Sequence, residues 1–308
     1  MKTKVFIDGS AGTTGLRIRE RLASRQDLEL ITLPEELRKD PAARADALNT
    51  AKVSFLCLPD DAAREAVSLV TSPDAVIIDT STAHRTAVGW TYGFPELKGQ
   101  REKIVFSRRI ANPGCHASGF VSLIAPLVQA GLLSSGARLS CFSLTGYSGG
   151  GKKMIAAYEE ENRPSLLDAP RQYGLSQTHK HLPEMAAVCG LDHAPIFCPV
   201  VAPYYAGMEV TVPLTPAETS AAPDEIREVY KAYYQKGLIH FVDTPDESGF
   251  LSAGAFAGRD DLQVSVYGNE ERILLVSRFD NLGKGASGAA IQNMNIALGL
   301  DEAEGLVV

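Results

Sequence analysis

A short apolar strand pattern, Lys4–Asp8, runs without a break into Gly9-Ser10-Ala11-Gly12-Thr13-Thr14-Gly15, and a helix pattern through Leu16, Ile18 and Leu22 begins at once. The G-x-x-G-x-x-G spacing is a variant of the dinucleotide fingerprint. Glycines let the backbone approach a pyrophosphate closely, and the helix N-terminus turns its N–H groups towards it. Gly-rich turns also join strands to helices with no ligand, so the spacing gains meaning only from the strand–turn–helix context in which it stands. In that context the loop reads as a phosphate cradle at the start of an α/β unit.

The texture continues downstream. Leu28–Leu33, Val53–Leu58 and Ala75–Asp79 read as further strands, and Asp60 reads as the N-cap of a helix from Asp61 to about Val70. Strands alternating with helices over short loops indicate a doubly wound α/β sheet. Ligands bind such sheets at the carboxyl ends of the strands. Gly9, Pro59 and Arg85 all fall at or just past those ends. An arginine there holds a phosphate or carboxylate as a two-pronged donor, or else closes a structural salt bridge. Glu35 lies about twenty residues past the glycine loop, where an acid takes a ribose 2′-OH. Arg38, Lys39 and Arg17 suit a 2′-phosphate instead, and a solvated charged loop explains the same residues. Sequence physics does not choose between NAD and NADP.

A second landmark is Asn112-Pro113-Gly114-Cys115-His116-Ala117-Ser118-Gly119. After it Phe120, Leu123, Ile124, Leu127 and Val128 recur on one helical face, so Cys115 stands at or just before a helix N-terminus. The unpaired N–H groups and the positive end of the dipole there favour a thiolate, which is a nucleophile. An inert buried cysteine is the alternative.

Beyond this helix the pattern turns β-rich. Leu139–Thr145, Pro195–Val201, Met208–Leu214, Phe250–Ala255, Leu262–Tyr267 and Arg272–Phe279 read as strands, with an amphipathic helix at Asp224–Gln235. Gly146–Lys153 reads as a flexible loop, either an anion nest or a long turn. His179 and His181 stand two apart in what reads as an extended segment, which points them to opposite sides. That spacing does not make a helical metal-binding face, and no metal site is expected. One of the two histidines suits acid–base work, and a partly exposed histidine in a polar loop explains the same residues, the reading that the residues alone favour. The small-residue run Asp280–Asn295 leads into a helix expected to return to the nucleotide domain.

The chain of 308 residues is long enough for two domains, and its net charge of −7 without a basic tract argues against nucleic-acid binding. No apolar run reaches the roughly 20 residues that span a bilayer. The start of the chain shows no signal-peptide anatomy. Five scattered cysteines without CxxC spacing argue for a reducing compartment. A cytoplasmic protein is expected.

Taken in order, Gly9–Gly15, Asp79–Arg85, Tyr92–Leu97, Asn112–Cys115, His179–Glu184, Pro199–Met208 and Asp280–Asn295 resemble the N-acetyl-γ-glutamyl-phosphate reductases, in their shorter form, within the aspartate-semialdehyde dehydrogenase superfamily. His116, Ala117 and Ser118 depart from the Tyr-Pro-Thr of the longer form. The resemblance implies a Rossmann-like NADP-binding domain over 1–114 and 283–308. It implies an α+β catalytic and oligomerisation domain with a mixed sheet over 115–282, in a homodimer or homotetramer. It implies an NADP-dependent oxidoreductase of arginine biosynthesis that forms a thioester on Cys115, with His179 as acid–base and Arg85, Asn112 and His181 at the substrate. Gly9, Ser10, Gly12, Thr13, Thr14, Gly15, Ser81, Asn281 and Gly288 would hold the cofactor. Aspartate-semialdehyde dehydrogenase and aminoadipyl-phosphate reductase share the cysteine chemistry. A catalytically inactive NADP sensor on the same scaffold is the non-enzymatic alternative.

Overall fold

Continuous apolar runs flanked by turns build a parallel sheet, because strands covered on both faces have no side to leave polar. The computed structural model describes residues 2–243 and 245–308. They divide into two compact units, Met1–Pro113 with Ala286–Val307, and Gly114–Gly285 with Val308.

The first unit takes β1 (Thr3–Asp8), α1 (Thr13–Leu22), β2 (Leu28–Ile31), α2 (Pro41–Thr50), β3 (Val53–Leu56), α3 (Asp60–Ser68), β4 (Val76–Asp79), β5 (Thr91–Tyr92), α4 (Gln100–Phe106) and β6 (Arg109–Ala111). Its six strands lie in the order β2-β1-β3-β4-β6-β5, every pair parallel. Val5, Ile7, Ile18, Phe55 and Ile78 pack on one face, and Phe6, Leu48, Leu56, Ala63 and Ile77 on the other. The strand order reverses between β1 and β3, the place where such sheets open a ligand crevice.

Helix α2 has an Ala-rich sequence with no clear apolar stripe. Its start is set by Pro41 in the first turn and by Asp40, whose side chain accepts from Ala43 N at 2.8 Å. Asp60 is not the N-cap of α3 but its first residue, behind Pro59. Its carboxylate accepts from Thr82 N at 3.0 Å and Thr82 Oγ1 at 2.5 Å, so it ties α3 to the loop after β4.

The second unit takes α5 (Cys115–Gln129), β7 (Ser140–Gly146), α6 (Gly151–Glu159), β8 (Arg171–Gln172), α7 (Leu182–Cys189), β9 (Ile196–Ala202), β10 (Met208–Leu214), α8 (Pro223–Tyr233), β11 (Ile239–Phe241), β12 (Leu262–Asn269) and β13 (Arg272–Phe279). Its strands form a seven-stranded mixed sheet in the order β11-β12-β13-β10-β7-β9-β8. A π turn, Gly283–Ser287, then leads into α9 (Gly288–Ala297), whose Ile291 and Met294 join the core of the first unit. No helix among the described residues is long and apolar enough to cross a membrane.

Two local expectations fail. Gly146–Lys153 is not a flexible loop: a 3-10 turn, Tyr147–Gly150, runs directly into α6. Phe250–Ala255 is not a strand but coil and turns. Both edges of β12 are already taken by β11 and β13, and Gly249 and Gly258 have φ of +86° and +88°. Side-chain bonds hold the segment instead. Arg278 donates to Glu247 at 2.6 Å and to the carbonyl of Ser252 at 3.3 Å.

Helix α5 is buried on every side from His116 to Leu127 and carries Pro126 in its interior. Proline has no N–H to give the carbonyl four residues back, which is that of Ser122. Tyr234 Oη donates to Ser122 O at 2.6 Å, and Tyr230 Oη to Leu123 O at 2.6 Å. The two tyrosines, on α8 and just after it, replace the hydrogen bonds that proline disturbs. Tyr234→Phe therefore leaves a buried carbonyl unsatisfied. It is expected to destabilise the protein by about 1–3 kcal/mol, read as a lower urea midpoint, with no change in cofactor binding.

Candidate active site

In the first unit the glycine loop leaves β1 and enters α1. Gly9 has φ +84°, and a Cβ there would lie 2.3 Å from the carbonyl oxygen of Cys57 at the exit of β3. A Cβ on Gly15 would lie 2.4 Å from Gly9 O. Only glycine closes this turn. Gly12 N-caps α1 and no side chain caps it, so no capping side chain takes the first-turn N–H groups, those of Thr13 and Thr14 among them. This is a cradle that a pyrophosphate fits. Beside it a cavity of about 350 Å³ is lined by Gly9, Ser10, Arg19, Glu35, Arg38 and Lys39, among others. Arg19 lines it where the sequence had suggested Arg17. The periodicity of a helix start does not say which of two neighbouring arginines turns inward.

Ser81 follows β4, where its hydroxyl donates to Asp79 Oδ2 at 2.7 Å. His84 Nδ1 meets the same carboxylate at 2.6 Å, and the Trp90 ring stacks on the imidazole at 4.0 Å. This knot shapes the loop that carries Arg85. The Arg85 guanidinium donates to Asn112 O at 3.0 Å and Thr80 O at 3.1 Å. Asn112 itself donates to Ala286 O at 3.0 Å and accepts from Asn293 Nδ2 at 3.2 Å. Gly288 opens α9. Asn281 falls in the second unit, where its amide accepts from Gly207 N at 3.0 Å and donates to Ser148 Oγ at 2.9 Å.

In the second unit Cys115 is the first residue of α5, behind the extended Gly114. It is half-buried. Gly285 lies against it, since a Cβ there would come within 2.9 Å of Cys115 Cβ. The Gly114 N–H donates to the buried Glu184 carboxylate at 2.8 Å. Glu184 is on α7, and the chain just before α7 carries the two histidines.

That chain is not extended. Residues 180–181 turn into α7, with the Leu182 N–H bonded to His179 O and His181 at the cap position in αR geometry. The histidines therefore do not diverge. Their rings stand 4.8 Å apart, and both meet the His116 ring, at 5.8 Å for His179 and 5.5 Å for His181. The His181 N–H donates to His179 Nδ1 at 3.3 Å, which leaves the ring proton of His179 on Nε2. Burial, then the charge of Lys180, lowers the pKa of His179, so the ring is neutral at neutral pH.

Sequence reasoning assigned nothing to three further groups. His116 Nδ1 meets Ser143 Oγ at 2.7 Å, and its Nε2 meets Tyr173 Oη at 2.6 Å. Tyr173 follows β8, which β9 holds by the pairs Arg171↔Val201 and Gln172↔Val200. Residues so far apart in the chain leave no local signal. Only the position of His116 beside Cys115 hinted at a role. Burial, then the nearby His179 and Lys180, pushes the His116 imidazole down to about 3. Burial holds the Tyr173 phenol well above its ordinary value.

A glycine cradle on a parallel sheet, joined to a unit whose buried helix starts with a cysteine, defines the semialdehyde dehydrogenases. Residues 33–105 match the family model for the semialdehyde dehydrogenase NAD binding domain, and residues 115–281 match that for the dimerisation domain. Aspartate semialdehyde dehydrogenase II from Vibrio cholerae, solved with ASA, shares the fold at a TM-score of 0.74 and 16% identity, over 97% of this chain and 98% of that one. More similar in sequence is an N-acetyl-gamma-glutamyl-phosphate reductase of Brucella ovis, 48% identical over 97% of this chain and all of that relative. The N-acetyl-gamma-glutamyl-phosphate reductase 2 of Nostoc sp. is 46% identical over 99% of each chain. The chain belongs to the N-acetyl-gamma-glutamyl-phosphate reductase family.

The His116 pKa has a consequence for stability. Its folded value lies below the ordinary 6.5, so the unfolded chain takes up this proton first. Folding is unpenalised above about pH 6.5 and loses up to about 1.4 kcal/mol per pH unit as pH falls from there towards 3. Thermal unfolding midpoints across this window should fall more steeply in the native protein than in His116→Asn; equal slopes would place the sensitivity elsewhere.

Proposed function

We propose that this chain reduces N-acetyl-L-glutamyl 5-phosphate to N-acetyl-L-glutamate 5-semialdehyde and phosphate with NADPH, as a step of arginine biosynthesis in the cytoplasm. The observation that carries this reading is the cysteine at the N-terminus of a buried helix, followed directly by His116, whose ring the imidazoles of His179 and His181 meet. The Cys115 thiolate adds to the acyl carbonyl carbon and the C–O bond to phosphate breaks, leaving a thioester. The cofactor, when bound, supplies the hydride that reduces this thioester. The C–S bond of the resulting thiohemiacetal then breaks and releases the aldehyde.

His179, neutral with its proton on Nε2, would hydrogen-bond the reacting oxygen and carry a proton to or from it. His181 is the base of the turn that orients it. Arg85 supplies a guanidinium for the substrate phosphate, on a loop braced by Asp79 and His84. Asn112 braces the junction between β6 and α9 rather than offering an idle amide. Gly9, Ser10, Gly12, Thr13, Thr14 and Gly15 would hold the pyrophosphate, with Ser81 and Gly288 at neighbouring strand and helix ends. Arg38 and Lys39 would take the 2′-phosphate, which favours NADP over NAD.

The outer face of the second sheet supports the reading of a homo-oligomer, a dimer or tetramer. Strand alternation points Ser143 towards α5 and its neighbour Phe142 away from it. On that outer face Phe142, Ile196 and Leu274 stay 47%, 63% and 42% exposed. An apolar sheet face of this kind is suited to a second copy.

Two measurements test the reading. NADP reduction should require N-acetylglutamate semialdehyde and inorganic phosphate together, and aspartate semialdehyde should not substitute. Cys115→Ser should lose turnover by about 10³-fold or more while still binding NADPH, because cradle and nucleophile are separate parts. Retained turnover would rule out the thioester. For the cofactor, Arg38→Ala combined with Lys39→Ala should raise the KM for NADPH by at least about tenfold and leave that for NADH unchanged, since each removes a charge-assisted contact to phosphate.

A further inference from the structure

The hydrogen bonds of Ser143, His116 and Tyr173 can be assigned directions. Ser143 is fully buried, and His116 Nδ1 is the hydrogen-bond partner of its hydroxyl among the described residues. If Nδ1 carried the ring proton, the serine O–H would be a buried donor with no acceptor, which costs about 1–3 kcal/mol. The economical arrangement has Ser143 donating to Nδ1. His116 is neutral, so its single proton then sits on Nε2 and is donated to Tyr173 Oη. The phenol receives a hydrogen bond from His116 and keeps its own proton to give elsewhere. His116 follows Cys115 directly in the first turn of α5, and its 2.6 Å bond brings the phenol to the cysteine end of that helix. The His179 ring lies 5.9 Å from the Tyr173 ring.

We propose that Tyr173 is a catalytic residue, the hydrogen-bond donor to the carbonyl oxygen of the acyl group on Cys115, and that His116 and Ser143 are positioning residues that fix the direction of its proton. The inference rests on Cys115 being the nucleophile. As the sulfur adds to the carbonyl carbon, the C–S bond forms and the π pair moves onto oxygen. The phenol O–H stabilises that charge without transferring its proton. The pair then returns to re-form C=O as the phosphate leaves with the electrons of the broken C–O bond. Burial suits the group to this task, because a phenol held above its ordinary pKa stays a donor across the working pH range. The chain of two preceding donors polarises the O–H further.

Tyr173→Phe removes one oxygen and keeps the ring. We expect kcat to fall about 10²-fold with little change in KM, while alkylation of Cys115 by iodoacetamide proceeds at the native rate. A kcat within about threefold of the native enzyme would overturn the proposal. His116→Gln should lose less, and the double variant should be no slower than Tyr173→Phe alone, because His116 acts through the phenol. Multiplicative losses would overturn the positioning role. Should Tyr173→Phe fail to fold, fluorotyrosine at this position keeps the shape and makes the phenol more acidic. A more acidic phenol is a stronger hydrogen-bond donor, so kcat at neutral pH should then rise with the number of fluorine atoms, and a kcat indifferent to fluorination counts against the proposal. Acylation of Cys115 by an activated acetyl ester reads the same donor without the acetylglutamyl substrate. A protein that is acylated by the ester in a Tyr173-dependent way but does not reduce the acyl phosphate would defeat the proposed function and leave this inference standing.

Discussion

The hydrogen bond from the Gly114 N–H to the buried carboxylate of Glu184 organises the second unit. A helix N-terminus carries N–H groups with no partner inside the helix, and burying it without one is costly. Glu184 meets that demand from α7, a helix far along the chain. In doing so it fixes the turn that aims Cys115 and anchors the residues just ahead of α7, which include His179 and His181. Cys115 and the imidazoles are thus held by one contact between two helix starts.

The same economy recurs along α5. Its interior proline leaves carbonyls that Tyr230 and Tyr234 satisfy, and its first turn supplies His116 to the bonded series with Ser143 and Tyr173. A helix buried on every side is a poor place for polar groups unless each is paired. Here the paired groups cluster at the cysteine end. The first unit solves a different problem by a different means. Its cradle needs no side chains, only glycines at positions where a Cβ would strike Cys57 O or Gly9 O.

Much of this was legible beforehand, and unevenly. The parallel sheet followed from apolar strands alternating with helical periods, and the start of α5 at Cys115 followed from Phe120, Leu123, Ile124 and Leu127. Helix α2 was missed because an Ala-rich segment carries little periodicity. The Phe250–Ala255 segment looked like a strand, but β12, the next strand along the chain, already pairs on both sides, and side-chain bonds hold the segment as coil and turns. The histidines were misread for a related reason. Spacing of two residues separates side chains in an extended chain, whereas the turn into α7 brings both rings against His116.

The amino-acid sequence by itself determined what is local: the glycine turn, the helix that Cys115 begins, the doubly wound pattern, and through the order of its motifs the family. Each of these is written in neighbouring residues whose periodicity or backbone freedom has one reading. Only the tertiary structure decided what meets across the chain. It brought Glu184 to Gly114, Tyr173 and Ser143 to His116, and the rings of His179 and His181 against that of His116. Those contacts depend on strand pairing between β8 and β9 and on the docking of α7. Neither leaves a trace in the residues that they join, because hydrogen bonds between distant groups impose no period on the sequence.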